Sequence, residues 1–240
     1  NDKLFFLDEN NNELSITTDK KVISINDERY DKYRISIPED YPGVTVKLAT
    51  YWRSLTINFY ISNDEIKILG SGGRLTEPMA AKCFEALDDL ESFASSRGYI
   101  WGRSIPMLNR YLIKGSGPDN YPMAFPQDDF VAKLNTGMDA STVIDKPHNM
   151  YLQTAVNTGV LSLLALLAVW CIYIISSLKL YSKISFDSTD KFIGVSCLLG
   201  VIGYLIAAVF NDSITSVAPI FWIMLGMGIS INIRLKKKRL

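Results

Sequence analysis

His148 is the single histidine of this 240-residue chain. It lies in Lys146-Pro147-His148-Asn149-Met150-Tyr151-Leu152-Gln153, which runs straight into an apolar segment ending near Leu178. A neutral imidazole can take a proton from a hydroxyl group near pH 7. Ionisable groups at a membrane boundary often line a substrate path. The position therefore points to chemistry on an amphipathic molecule, with a polar head outside and a lipid tail within. Arginine offers a planar fork that matches phosphate oxygens, and Arg97, Arg103 and Arg110 fall in one stretch expected to be helical. On an ideal helix Arg103 and Arg110 share a face, from which Arg97 is displaced, with Pro106 as a point of kinking. Asn149 and Gln153 are candidate substrate-binding groups beside His148. Pro147 suits the start of a helix, whose exposed N–H groups would favour an anionic head group nearby.

Other chemistries find little support. One histidine and three scattered cysteines build no cluster with metal-ligand spacing, so no metal and no cofactor is expected. Gly70 to Gly73 lacks the Lys-Ser/Thr of a phosphate-binding loop and is followed by Arg74, which reads as a linker. Asp128-Asp129 reads as a solvated pair on a loop. The basic residues form no aromatic-interleaved stripe, so nucleic acid is not an expected partner. Cys171 and Cys197 lie in apolar runs and only Cys83 in the polar half, which argues against a disulfide framework.

The elements that must position these residues fall into unlike parts. Formal charge sums to zero, yet from Lys179 onward there are eight basic and three acidic residues, leaving 17 basic and 22 acidic before it. No charge occurs between His148 and Lys179, from Phe192 to Asn211, or from Ser213 to Ile233. Each run approaches the ~20 residues needed to cross a bilayer core, and glycines recur in the later two, as membrane helices in close contact require. Basic residues in the Lys179–Lys191 connection and the tail place both in the cytoplasm. The Asn211-Asp212 turn and residues 1–147 are then expected outside. The chain opens at Asn1 without methionine or an apolar leader. It is therefore expected to be the C-terminal part of a longer polytopic protein, whose upstream transmembrane helices are partners and without which this piece is expected to be inactive.

Before Gly70, short β-favouring runs are divided by turn residues. They include Leu4–Leu7, Leu14–Thr17, Val22–Ile25, the alternating Val44/Val46/Leu48 and the alternating Leu55/Ile57/Phe59/Ile61. Such period-two patterning predicts an antiparallel sheet with one buried face. Tyr51, Trp52, Arg53 and Tyr60 either pack in that sheet or stack on a sugar. Helices are expected over Glu77–Phe93 and from Ser95 to about Ile113, where Gly115-Ser116-Gly117-Pro118 stops the second. The fold class expected is mixed. Residues 1–70 form a small extracytoplasmic β-rich insert, residues 71–147 a helical loop region carrying Arg97, and residues 148–240 a transmembrane bundle of three spans.

Ser96-Arg97-Gly98-Tyr99-Ile100-Trp101, then Gly115-Ser116-Gly117-Pro118, then Pro147-His148-Asn149-Met150-Tyr151-Leu152-Gln153 with Gly159, in this order, resembles the O-antigen ligase and polysaccharide polymerase superfamily of bacterial membrane glycosyltransferases. The ligase pattern of His, a small amide or hydroxyl residue, nine residues and Gly is met by His148, Asn149 and Gly159, with Ser162 departing from it at the last place. The resemblance covers about residues 95 to 178. It implies metal-independent, inverting transfer or polymerisation of glycan from an undecaprenyl-pyrophosphate-linked donor onto a sugar hydroxyl, at the outer face of the cytoplasmic membrane. His148 would be the general base and Arg97 the pyrophosphate contact, with Arg103 second. The partners implied are a lipid-linked oligosaccharide donor, a glycan acceptor and the membrane. The alternative is a membrane-anchored extracytoplasmic carbohydrate-binding or sensing module without catalysis.

Overall fold

Valine, isoleucine and threonine in alternation between polar turns leave the N-terminal chain few choices besides a sheet. In the computed structural model of the protein, residues 4–49, 54–62, 65–70, 73–77, 79–182 and 188–237 are described. Tyr51, Trp52, Arg53 and the Asp187 region lie outside the described residues. Two compact units are present, one of Asn1–Cys83, Leu87–Tyr99 and Pro126–Ile144, the other of Phe84–Ala86, Ile100–Phe125 and Asp145–Leu240.

The first unit holds a seven-stranded antiparallel meander: β1 (Ile16–Asp19), β2 (Val22–Ile25), β3 (Tyr33–Ser36), β4 (Gly43–Ala49), β5 (Ser54–Ser62), β6 (Glu65–Leu69) and β7 (Leu75–Thr76). The register sets Ile35 against Val46, Val46 against Ile57 and Val44 against Phe59. The apolar set therefore lies on one face. One part of that face packs Ile23, Ile35 and Val44 with Leu4 and Phe6, and another packs Ile68 with Phe130 and Ala140. Arg34, Lys47, Thr56 and Tyr60 occupy the alternate positions. Leu4–Leu7 forms no strand beyond an isolated bridge from Leu7 to Glu13. The helix expected over Glu77–Phe93 is reduced to a short 3₁₀ stretch, Glu85–Leu90. Backbone pairing wins there: Tyr99 N–H donates to Glu91 O at 3.0 Å, and a Cβ on Gly98 would meet Leu90 O at 1.7 Å.

A buried lysine closes the chain segment from Pro126 to Ile144. Lys133, on α3 (Phe130–Asn135), is fully buried. Its ammonium donates to Gln127 O at 2.7 Å and Thr142 O at 2.8 Å. Gln127 in turn bonds both backbone groups of Ile144. Burial pushes the Lys133 pKa down, opposed by the charges of Asp128 and Asp129. Lys133→Met keeps the stem but leaves two carbonyls without a charged donor. It is expected to cost about 2–4 kcal/mol, read as a lower thermal midpoint; an unchanged midpoint would show the ammonium to be dispensable.

Helix α1 (Phe93–Met107) contains three consecutive left-handed residues near its start, Ala94, Ser95 and Ser96, with φ of 49°, 61° and 66°. It ends one residue after Pro106. Beyond it the chain continues in i→i−3 turns, with Arg110 N–H on Met107 O at 2.9 Å. Arg110 is therefore off the helix, and the shared face expected for Arg103 and Arg110 does not exist.

In the second unit α2 (Tyr121–Ala124) and α4 (Met150–Thr158) accompany three long helices: α5 (Val160–Tyr181), α6 (Thr189–Ala207) and α7 (Ala218–Lys237). These three, of 22, 19 and 20 residues, are long and apolar enough to cross a membrane. Trp170, Leu198, Val201, Phe221 and Leu225 share their core. Gly194 admits the Tyr181 hydroxyl and Gly228 that of Tyr173. Tyr181 Oη donates to Asn232 Oδ1 at 2.8 Å, and Asn232 Nδ2 to Ser177 Oγ at 2.7 Å, giving α5 and α7 a buried polar tie.

Candidate functional site

The apolar run after His148 is two helices. Gly159, with φ of 102°, separates α4 from α5, a conformation that costs glycine little. The backbone groups freed by the break are satisfied by the segment before Pro118. Val160 and Leu161 N–H donate to Tyr111 O and Leu112 O at 3.0 and 3.1 Å, while Ser116 and Gly117 N–H donate to Val156 O and Asn157 O at 2.8 and 3.0 Å. Gly115 must be small for this exchange, since a Cβ there would meet the Asn157 carbonyl at 2.2 Å. Two motifs that looked separate along the chain are thus a single backbone junction.

At the other end of α4, Pro147 is not the first helical residue. His148 has a left-handed φ of 50°, and Asn149 is the N-cap, its Oδ1 accepting from Leu152 N–H at 2.9 Å. Donors at this helix start meet carbonyls at the end of α6: Met150 N–H bonds Ala208 O at 2.9 Å, Asn149 Nδ2 bonds Val209 O at 2.9 Å, and Tyr151 Oη bonds Leu205 O at 2.7 Å. The expectation of a helix N-terminus open to an anionic head group is accordingly revised for Met150 and Leu152, whose N–H groups already have protein partners. Trp101 Nε1 donates to Pro147 O at 2.7 Å, and its ring lies 5.7 Å from Phe210.

This clasp brings His148 Nδ1 to 3.0 Å from Asp212 Oδ2. The imidazole keeps 43% of its surface exposed and Asp212 only 9%. A carboxylate accepting from Nδ1–H leaves the Nε2 lone pair to receive a proton, the arrangement of an oriented general base. Asp212 Oδ1 is buried with no partner among the described residues. Asp212 was expected only as an outer turn. The signal for it is that no other charged residue occurs between Lys191 and Arg234.

The remaining candidates are placed as follows. Arg103 is buried in the second unit. Ser104 beside it donates to Ile100 O at 2.6 Å and contacts Tyr121 Oη at 2.7 Å, so the phenol donates to serine. Burial pushes the Tyr121 pKa far above the ordinary range, with the charges of Asp212 and Asp145 adding to it; Tyr121 is a neutral donor. Gln153 Oε1 accepts from Ser213 N–H at 3.4 Å. Arg97 belongs to the first unit, where its Nη1 donates to Ala94 O at 2.8 Å and its buried Nε has no partner among the described residues. Also in the first unit, Cys83, Asp88 and Glu91 bring possible ligand atoms within 4.8 Å of one another. Such groups are common at surfaces without an ion, and nothing ties this one to the histidine chemistry.

Residues 49–167 match the family model described as O-antigen ligase. The match includes Arg97, Arg103, His148, Asn149, Gln153 and Gly159, and stops short of Asp212. No curated protein and no solved structure matches the chain.

Proposed function

We propose a specific reaction for this chain, which belongs to the O-antigen ligase and polymerase superfamily: transfer of glycan from an undecaprenyl-pyrophosphate-linked donor onto a sugar hydroxyl. The observation that carries the reading is the His148–Asp212 pair, 3.0 Å apart, with the histidine inside the family match. His148 Nε2 takes the acceptor hydroxyl proton as that oxygen bonds to the anomeric carbon of the donor. The bond from that carbon to the pyrophosphate oxygen breaks on the opposite face, so configuration inverts, and the electron pair leaves with the pyrophosphate. Arg97 meets the leaving charge with its fork, and Arg103 is a second basic group for it. Gln153, at the same end of the machinery as His148, borders the glycan. Side-chain charge does the work here, without a metal.

Residues 1–147 are proposed to lie outside the cytoplasmic membrane and the C-terminal tail inside, in line with the basic residues beyond α5 and α7. Two measurements test the reading together. Single cysteines at Asp128 and Asp212 are expected to label from outside in intact cells, and one at Lys237 only after permeabilisation. The full-length protein, with its upstream helices, in proteoliposomes and given a lipid-linked oligosaccharide, is expected to release polyprenyl pyrophosphate as glycan joins the acceptor. A cytoplasmic Asp128 would remove the site from the donor, and glycan binding without pyrophosphate release would favour a non-catalytic binding module instead.

A further inference from the structure

We propose that Asn149 is a positioning residue, which fixes the His148–Asp212 pair by joining the cap of α4 to the loop after α6, rather than a contact to the glycan. The inference rests on the transferase reading for its kinetic consequence, but its geometry stands by itself.

Both ends of the carboxamide are committed. Oδ1 accepts from Leu152 N–H and Nδ2 donates to Val209 O, each at 2.9 Å. The residue retains 9% exposure. Nδ2 keeps a second N–H and Oδ1 a second lone pair, but burial leaves a sugar hydroxyl little access to either. Turning the carboxamide toward a ligand would break protein bonds in a buried place, where an unsatisfied group is costly. The two bonds also span the pair directly. His148 is the residue before Asn149, and Asp212 is three residues after Val209. His148 itself sits at a φ of 50°, a region that non-glycine residues occupy at some cost and only when neighbouring contacts hold them.

Asparagine is suited to this combined task by its chemistry. Serine and aspartate cap helices about as well, but a serine hydroxyl is too short to repeat the reach to Val209 O, and a carboxylate cannot donate. Glutamine can donate but is a poor cap. The position thus needs an acceptor and a donor on one short planar group.

The discriminating variant is Asn149→Ser, which keeps the cap and loses the cross-tie; Asn149→Ala, which loses both, serves as its comparison. In Asn149→Ser, membrane insertion and helicity should match wild type. The turnover number should fall about tenfold or more, within the ~10²–10⁴-fold a general base supplies, with the KM for acceptor unchanged. Combined with Asp212→Asn, the serine substitution should add nothing further, because both act through the same imidazole. The chain has one histidine, so ¹⁵N-histidine labelling gives one imidazole to follow. Its nitrogen shifts should report a fixed Nδ1–H tautomer in wild type and a mixture in Asn149→Ser.

Wild-type turnover in Asn149→Ser, a loss confined to KM, or full additivity with Asp212→Asn would each overturn the proposal. The ring signal separates the two readings. A tautomer that responds to Asn149→Ser in a protein that transfers no glycan would leave the positioning role intact and sink the transferase assignment. Transfer with an unresponsive ring and unchanged turnover would do the reverse.

Discussion

His148→Gln is expected to slow glycan transfer by about 10²–10⁴-fold, the usual contribution of a general base. The glutamine amide can still donate to Asp212 Oδ2, so the clasp between α4 and the loop after α6 should persist and the protein should insert normally. What is lost is a nitrogen able to accept a proton. His148→Ala should therefore be about as slow as His148→Gln, although it also leaves Asp212 without its partner. Asp212→Asn should lower the rate in the same direction, since an amide facing Nδ1 can donate to it and turn the ring to the tautomer with the proton on Nε2. The decisive comparison is between alanine and glutamine at position 148, by initial rates of pyrophosphate release. If glutamine restores most of the activity, His148 only holds a hydroxyl in place and the base must be sought elsewhere.

Arg97→Ala is expected to reduce transfer by about 10²–10³-fold or more, the scale seen when one donor to a developing anion is removed. The structure supplies a complication that the experiment must control. Arg97 Nη1 also holds Ala94 O at 2.8 Å, closing the left-handed turn at the start of α1, so alanine loosens that turn as well. Arg97→Lys separates the two effects. Lysine can still donate to the Ala94 carbonyl and keeps the charge, but lacks the fork that engages two phosphate oxygens at once. A slow but folded Arg97→Lys, with protease resistance like wild type, places the loss at the pyrophosphate. Near-normal product from Arg97→Ala would reject the role and move attention to Arg103 or Arg110.

Much of the architecture is legible in local patterns, and what escapes is set by distant partners. Val44, Val46 and Leu48 facing Leu55, Ile57 and Phe59 are a period-two signal, and they pair as that signal requires. The three long apolar helices follow from length and hydropathy alone. Gly159 was visible as a motif residue, but nothing in an unbroken apolar run says that the helix stops there; the reason is the Tyr111–Gly117 backbone. Glu85–Leu90 has helical composition but forms only a 3₁₀ stretch, with Gly98 set close against Leu90 O. Lys133 resembles an ordinary surface lysine until Gln127 and Thr142 close over it. His148 stood out as a single titratable group, whereas Asp212 becomes a partner only when the end of α6 is brought to the start of α4. Asn149 is legible in the sequence only as a polar residue beside His148, and its commitments to Leu152 and Val209 exist only in three dimensions.

The junction at Gly159 has a bearing on what sets the position of His148. A span continuous from His148 to Tyr181 would tie the height of the imidazole to the thickness of the hydrocarbon layer, because a long rigid rod answers mismatch by tilting. Here α5 begins at Val160, and α4 is fastened instead to the end of α6 and to the chain ahead of Pro118. The segment from Tyr111 to Gly117 bonds both sides of Gly159, holding Val160 and Leu161 as well as Val156 and Asn157, so the break is a braced corner. The bonds at Leu205, Ala208 and Val209 fix where α4 starts. The position of His148 is thereby set by the end of α6 and the chain ahead of Pro118, and not by the length of α5.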